Sequence, residues 1–331
     1  MNTSTGETPV STPIRVPKPA VGGPRERVDL QASEGFVCSA AIDGIVERAM
    51  TYLEIGYPLH LCGPAGTGKT TLAFHLAAQL GRPVMLLHGN ADFKSADLIG
   101  NEHGYRKHRV VDNFIHSVVK TEEVMQSMWV DNQLTTACQR GYTLIYDEFT
   151  RSRPEANNIL LSVLEEGILN IPGRRGPGQE GFVRVHPQFR AIFTSNPGEY
   201  AGTHKTQDAL MDRMVTVAID HYDRETEIAI TMSRSGVTAT DAAVIVDLAR
   251  AMRPLGSSLH SPSIRACIII ARVLVRRGAR AMTTDPVFRW VCHDVLSVDS
   301  NGQFHSAKII DGVMDRVCGA STTQPSSRST P

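Results

Sequence analysis

The stretch "GPAGTGKTT" (Gly63–Thr71) stands between the apolar run "PLHL" and the helix-like "LAFHLAAQL". Gly63, Pro64, Ala65, Gly66, Thr67, Gly68, Lys69 and Thr70 satisfy GxxxxGK[ST], and Thr71 follows them. Glycines let successive backbone N–H groups converge on an anion, and the helix starting here adds the positive end of its dipole to the same point. After an expected strand and before an expected helix, such a loop is a phosphate cradle. Lys69 then reaches the β- and γ-phosphates, and the Thr70 hydroxyl ligates Mg²⁺.

A cradle alone does not separate kinases, GTPases and motor ATPases. The run "YTLIYDEFTR" supplies the second half of the site. Its strand ends in Asp147-Glu148, which puts Asp147 beside the metal held by Thr70 and Glu148 where it can orient or deprotonate a water. A nucleoside kinase needs an acceptor pocket and commonly lacks such a Glu. A GTPase needs a guanine-reading NKxD, and the chain has none. ATP is therefore the expected nucleotide and hydrolysis the expected reaction. Asn196 ends "AIFTSNP", at the tip of another expected strand, where an amide can hold the attacking water or feel the γ-phosphate. Arg213 lies just before the last expected strand. Arg265 lies in the first turn of a helix that Ser261 caps and Pro262 opens in this reading. Ile264, Cys267, Ile268, Ala271, Leu274 and Val275 form that helix's apolar stripe, leaving Arg265, Arg272 and Arg276 on another face.

The elements that must position these groups are legible as texture. "PLHLC", "PVMLLH", "YTLIY", "FRAIFTS" and "MVTVAI" are continuous apolar runs of the kind found in parallel sheets covered on both faces. After about residue 222 the strand signals stop, and helical patterns follow through "RETEIAITMS", "DAAVIVDLARAMR", "SIRACIIIARVLVRR" and "DPVFRWVCHDVL". The expected architecture is α/β: a P-loop NTPase core of parallel sheet flanked by helices over residues 31–222, then a small all-α lid over 223–318. Inserts are expected near 92–118 and 167–186. The Ser/Thr/Pro-rich arm 1–30 and the tail 319–331 bury too little to offset the entropy of ordering. "SRPEANNILLSVLEEG" opens with a capping box, Ser152 to Glu155, buries Ile159, Leu160, Val163 and Leu164, and stops at Gly167.

Of the 331 residues, 41% are hydrophobic, enough for a real core, and Lys plus Arg equals Asp plus Glu at 34 each. Global charge thus gives no reason to expect nucleic acid or an acidic membrane as partner. No apolar stretch approaches the roughly 18 residues of a membrane span, and the first residues lack a secretory pattern, so a cytoplasmic location is expected. The six cysteines are scattered without CxxC spacing and read as buried or free thiols, and the histidines show no paired ligand spacing.

The ordered set of phosphate loop, Asp-Glu strand end, Asn strand tip, Arg before the last strand and Arg in a helical lid resembles an AAA+ ATPase of the MoxR branch. Within it, "DNFIHSVVKTEE", "WVDNQLTTAC", "YDEFTRSRPEANNILLSVLEEGILNIP", "HPQFRAIFTSNPGEYAGTHKTQDALMDRM" and "DRETEIAI" are similar to the gas vesicle protein N family, relatives of the CbbQ and NorQ activators. The similarity runs from roughly Ser33 to Arg277. It implies an ATPase that takes part in forming gas vesicles. It further implies that Asn196 is sensor 1, Arg213 an arginine finger offered to a neighbouring subunit, and Arg265 sensor 2. A finger supplied in trans makes hydrolysis depend on assembly, so a homo-oligomeric ring, by family a hexamer, is expected.

Two basic inserts suit contact with a client at a central pore: "GNADFKSADLIGNEHGYRKHRVVDNF", with Arg106, Lys107, His108 and Arg109, and "GILNIPGRRGPGQEGFVRVHP", read as a β-hairpin with Arg174 and Arg175 at its tip. Arg151 and Arg153, near the nucleotide in chain terms, are candidates for touching the adjoining subunit. Three functions fit: remodelling of gas vesicle shell or accessory proteins, activation of a metabolic enzyme such as a carboxylase or metalloenzyme, or a shell-associated component with regulatory nucleotide binding. Glu148 argues against the third, since nucleotide binding alone needs no water-activating carboxylate.

Overall fold

The computed structural model describes residues 27–28, 36–112, 120–172, 180–196, 208–255, 262–297 and 307–321. The core begins β1 (Arg27–Val28), α1 (Ala40–Glu54), β2 (Leu59–Cys62), α2 (Lys69–Gln79), β3 (Val84–His88) and α3 (Ser95–Ile99). It continues through β4 (Gly100–Asp112), β5 (Lys120–Asp131), α4 (Gln133–Arg140), β6 (Thr143–Asp147), α5 (Pro154–Asn157) and α6 (Ile159–Glu165). Then come β7 (Ile168–Asn170), β8 (Phe182–Arg184), β9 (Arg190–Ser195), α7 (Asp208–Met211) and β10 (Val215–Ala218). The lid is α8 (Arg224–Ser235), α9 (Ala239–Met252), α10 (Ile264–Arg277), α11 (Pro286–Leu296) and α12 (Ala307–Ser321).

The apolar runs do form one sheet, in the order β1-β3-β6-β9-β2-β10, with β1 alone antiparallel. All of β6 is buried, as a strand covered on both faces must be. Helices α1 and α2 pack Ile42, Leu53, Leu72 and Leu76 on one face, and Leu134, Leu160 and Phe149 pack on the other. This order sets β2 between β9 and β10, so the loop leaving β2 has a strand end on either side.

A buried histidine interrupts this centre. His60 of β2 is buried, with Nδ1 3.0 Å from Thr216 Oγ1 on β10 and Nε2 2.8 Å from Ser195 Oγ on β9. Burial pushes its pKa down to about 4. Between there and the unfolded value near 6.5, the unfolded chain binds a proton that the folded chain refuses, so stability falls as pH drops through that window. The loss attributable to His60 from pH 7 to pH 4.5 is on the order of 2–3 kcal/mol. Denaturant unfolding at both pH values should show a His60→Gln variant losing less than the wild type by that amount; equal losses would remove His60 as the cause.

Several expectations are corrected. The arm lies outside the described residues except that Arg27 and Val28 pair with Met85 and Val84, because β3 would otherwise be an open edge. The first insert is a short helix and then a long antiparallel hairpin of β4 and β5, while the second is the expected hairpin, β7 with β8. Arg174 and Arg175 lie outside the described residues. Ser152 caps nothing: its Oγ accepts from Tyr146 Oη at 2.7 Å and from the Asn90 N–H at 3.0 Å, and α5 starts at Pro154 behind Arg153. Leu160 and Val163 are buried, with Ile159 and Leu164 packed partly against the same core.

In the lid, α10 starts at Ile264 behind Ser263, two residues later than the expected start at Pro262 behind Ser261, which lies outside the described residues. Its buried stripe is Ile264, Cys267, Ile270, Ala271 and Leu274; Val275 is exposed and Ile268 only partly covered, so the helix is rotated from the expected face. Arg265, Arg272 and Arg276 are exposed as expected. Helix α12 falls within the expected helical lid, although no run of residues there marked it, and it closes the lid core with Ile310, Val313 and Met314. None of the six cysteines is in a disulfide, and Cys138, Cys267 and Cys292 are buried. Among the described residues no helix is long and apolar enough to cross a membrane.

Candidate nucleotide site

The Gly63–Thr71 loop leaves β2 and turns into α2 at Lys69. Its neighbours hold it closely. The Gly63 N–H donates to Ser195 O, and a Cβ on Gly63 would meet the Ile219 carbonyl at 1.8 Å. Gly66, at φ +76°, is pressed by the lid: a Cβ there would lie 2.2 Å from Ser263 Oγ and 3.5 Å from Arg265 Cβ. Only glycine fits either position. Ser263 therefore turns its hydroxyl to the loop and makes no side-chain cap on α10, and Arg265 is brought over the loop from the lid.

Lys69 is buried along the loop, its Nζ donating to Gly63 O at 2.8 Å and Pro64 O at 2.6 Å. Thr67 Oγ1 donates to Pro64 O at 3.0 Å. The two expected metal ligands meet: Thr70 Oγ1 donates to Asp147 Oδ1 at 2.7 Å. The same carboxylate oxygen accepts from Thr194 Oγ1 at 2.5 Å, and Thr194 Oγ1 accepts from the Glu148 N–H at 2.9 Å. A hydroxyl and a carboxylate are hard oxygen donors, and two of them leave most of an octahedral shell to phosphate and water, which is how Mg²⁺ sits beside nucleotides.

Glu148 carries φ +53°, the one non-glycine residue at positive φ among the described residues. An L-residue in the left-handed region costs about 1–2 kcal/mol. The turn aims the side chain out from the strand end, where Glu148 Oε2 lies 2.7 Å from Arg151 Nη1. Asn196 is buried one residue past β9, and the strand order sets it between Glu148, just past the end of β6, and the loop from β2.

Arg213 is not brought into this cluster. It precedes β10 at the opposite end of the sheet, where Nε donates to Glu165 Oε2 at 2.7 Å and Nη1 to Ala209 O. Arg153, exposed, stands at the start of α5. Sequence reading missed Thr194 and Ser263. The signal for Thr194 was present as a hydroxyl inside an apolar strand, two residues before Asn196 and so on the same face. Nothing local marked Ser263, whose role comes from the lid's approach.

A family model described as an AAA domain of the dynein-related subfamily matches residues 58–214. The gas vesicle ATPase GvpN of Ancylobacter aquaticus is 50% identical over 262 residues, covering 79% of this chain and 73% of its own. The gas vesicle ATPase GvpN of Haloferax mediterranei is 43% identical over 265 residues, covering 79% and 74%. A solved variant of RuvB from Thermotoga maritima shares the fold, with a TM-score of 0.50 at 16% identity over 82% of this chain and 73% of its own. With half of the residues aligned over most of both lengths identical, the chain belongs to the GvpN family of AAA ATPases.

Proposed function

We propose that the chain drives gas vesicle assembly by hydrolysing ATP in a ring of its own copies and remodelling shell or accessory proteins as its lids move. The observation that carries the engine is the Thr70–Asp147 contact at the mouth of the phosphate loop. The names of the relatives carry the link to gas vesicles.

In this reading the N–H groups of the loop and the α2 dipole hold the phosphates. Lys69 exchanges two carbonyls for the β- and γ-phosphates, a better partner for an ammonium because the bonds become charge-assisted on both sides. Thr70 and Asp147 hold Mg²⁺, which neutralises charge on the phosphoryl oxygens when bound. Glu148 accepts the proton of the attacking water, Asn196 holds that water in line, and Arg265 senses the γ-phosphate from the lid. Arg213 serves the neighbouring subunit. The hairpins β4–β5 and β7–β8 are offered as client contacts. Arg106, Lys107 and Arg109 lie on β4, paired in register with Gln126, Met125 and Glu123 of β5.

The test is deletion followed by microscopy for vesicles. Wild type should restore them, Glu148→Gln should not, and neutral substitutions at Arg106 and Lys107 should restore ATPase without vesicles. Vesicles at wild-type number in the deletion strain, or full rescue by Glu148→Gln, would refute the proposal.

A further inference from the structure

A deeply buried carboxylate sits where the lid joins the core. Glu227, on α8, is 1% exposed, and a charge that deep persists only when paired and hydrogen-bonded. Its Oε2 accepts from Arg250 Nη1 at 3.1 Å, and its Oε1 accepts from Arg253 Nη2 at 2.5 Å. Each arginine also grips backbone. Arg250 Nη1 donates to the Tyr222 carbonyl at 3.2 Å, where the chain passes from β10 into the lid. Arg253 Nε donates to the Pro262 carbonyl at 3.0 Å, the residue before Ser263 and α10.

Both gripped points border the phosphate loop. Ile219, three residues before Tyr222, lays its carbonyl on Gly63, and Ser263 and Arg265, just after Pro262, lie on Gly66. The path from one side of the loop to the other thus runs through Arg250, Glu227 and Arg253. The geometry points to Glu227 and its two arginines as positioning residues, which hold Arg265 at the height and angle from which it meets the nucleotide. This rests on the reading of Arg265 as the lid's nucleotide contact.

Arginine is required at position 253 for a geometric reason. Its planar fork sends Nη2 to the carboxylate and Nε to the carbonyl at once, whereas a lysine ammonium, a point on a flexible stem, cannot hold both in fixed directions. Arg253→Lys therefore keeps the charge beside Glu227 and loosens Pro262.

The experiment compares steady-state ATP hydrolysis by full-length wild type, Arg253→Lys, Arg265→Ala and the double variant, each with its melting temperature. Each single variant should lower kcat/KM about tenfold, chiefly by raising KM, and the double variant should fall no further than Arg265→Ala, because residues that act as a unit are non-additive. A merely structural Arg253 would instead multiply its loss onto that of Arg265→Ala. Should Arg253→Lys fold poorly, Glu227→Met/Arg253→Met removes the most buried pair and leaves only Arg250, which is partly exposed and keeps the Tyr222 carbonyl. It should show the same loss of kcat/KM at an unchanged melting temperature. Arg265→Ala within twofold of wild type overturns the reading of Arg265 and the tether with it. A defective Arg265→Ala beside a silent Arg253→Lys, a silent Met pair or multiplying losses overturns the tether alone.

Discussion

Glu148→Gln is expected to lower ATP turnover by about 10²- to 10⁴-fold, the range associated with a lost general base, while nucleotide still binds. The amide keeps the length and the hydrogen-bonding outline of the side chain but cannot accept a proton from water. Binding should survive because the groups that hold phosphate, Lys69 and Thr70, touch the loop and Asp147 rather than the Glu148 side chain. The two effects can be read on one sample. Phosphate release gives turnover, and a melt with nucleotide gives binding, since ligand at 100 times its Kd stabilises by about 2.7 kcal/mol. Turnover within twofold of wild type would take the base away from Glu148. Loss of the nucleotide-induced stabilisation would mean that the residue shapes the loop instead. The left-handed backbone at Glu148 makes lost turnover with retained binding the expected result. A strand could end there without strain, and its φ of +53° is kept by bonds from the Glu148 N–H to Thr194 and from the Arg151 N–H to Glu148 O.

The site was legible where chemistry imposes spacing. The phosphate loop, Asp147 and Glu148 sit at strand ends because ligands of open α/β sheets bind there, and the strands themselves were legible because burial on both faces leaves them continuously apolar. What escaped was set by partners distant in the chain. Ser152 and Glu155 match a capping box, yet the Tyr146 hydroxyl from β6 and the Asn90 N–H claim the Ser152 oxygen first. The β4–β5 hairpin carries polar residues at most positions and pairs with no third strand, so it lacks the one-face alternation that marks a half-buried strand. In α12 the apolar positions Ile310, Val313, Met314 and Val317 do keep helical spacing, but Gly312 and Gly319 dilute the pattern, and only packing against α9 and α11 makes the helix. On α10 the rival stripes differ by Ile270 against Ile268 and Val275, β-branched residues of similar hydrophobicity, and the choice belongs to the rest of the lid core.

Arg213→Ala is expected to lower turnover about 10³- to 10⁵-fold, as removal of an arginine finger does, although Arg213 lies far from the phosphate loop of its own chain. Val215 pairs with Leu59 at the start of β2, and Ile219 meets Cys62 at its end, so the strand alone separates Arg213 from the loop by about 13 Å. An arginine spans about half of that. Any action on a γ-phosphate must then be on a neighbour's, and the pairing with half-exposed Glu165 is no obstacle, because surface pairs are worth about 0–1 kcal/mol. The decisive form of the test joins two dead proteins. When Arg213→Ala and Glu148→Gln chains assemble at random in equal amounts, half of the sites keep Glu148. Half of their neighbours supply Arg213, so roughly a quarter of the interfaces are complete. The mixture should recover about that share of wild-type turnover, with native mass confirming that the two chains share a ring. Lysine at position 213 should not substitute, since it cannot offer the planar fork to the phosphoryl oxygens. A mixed ring that stays as inactive as its parents would mean that Arg213 and Glu148 must come from the same chain or that Arg213 acts on no nucleotide, and the shared-interface mechanism would fail.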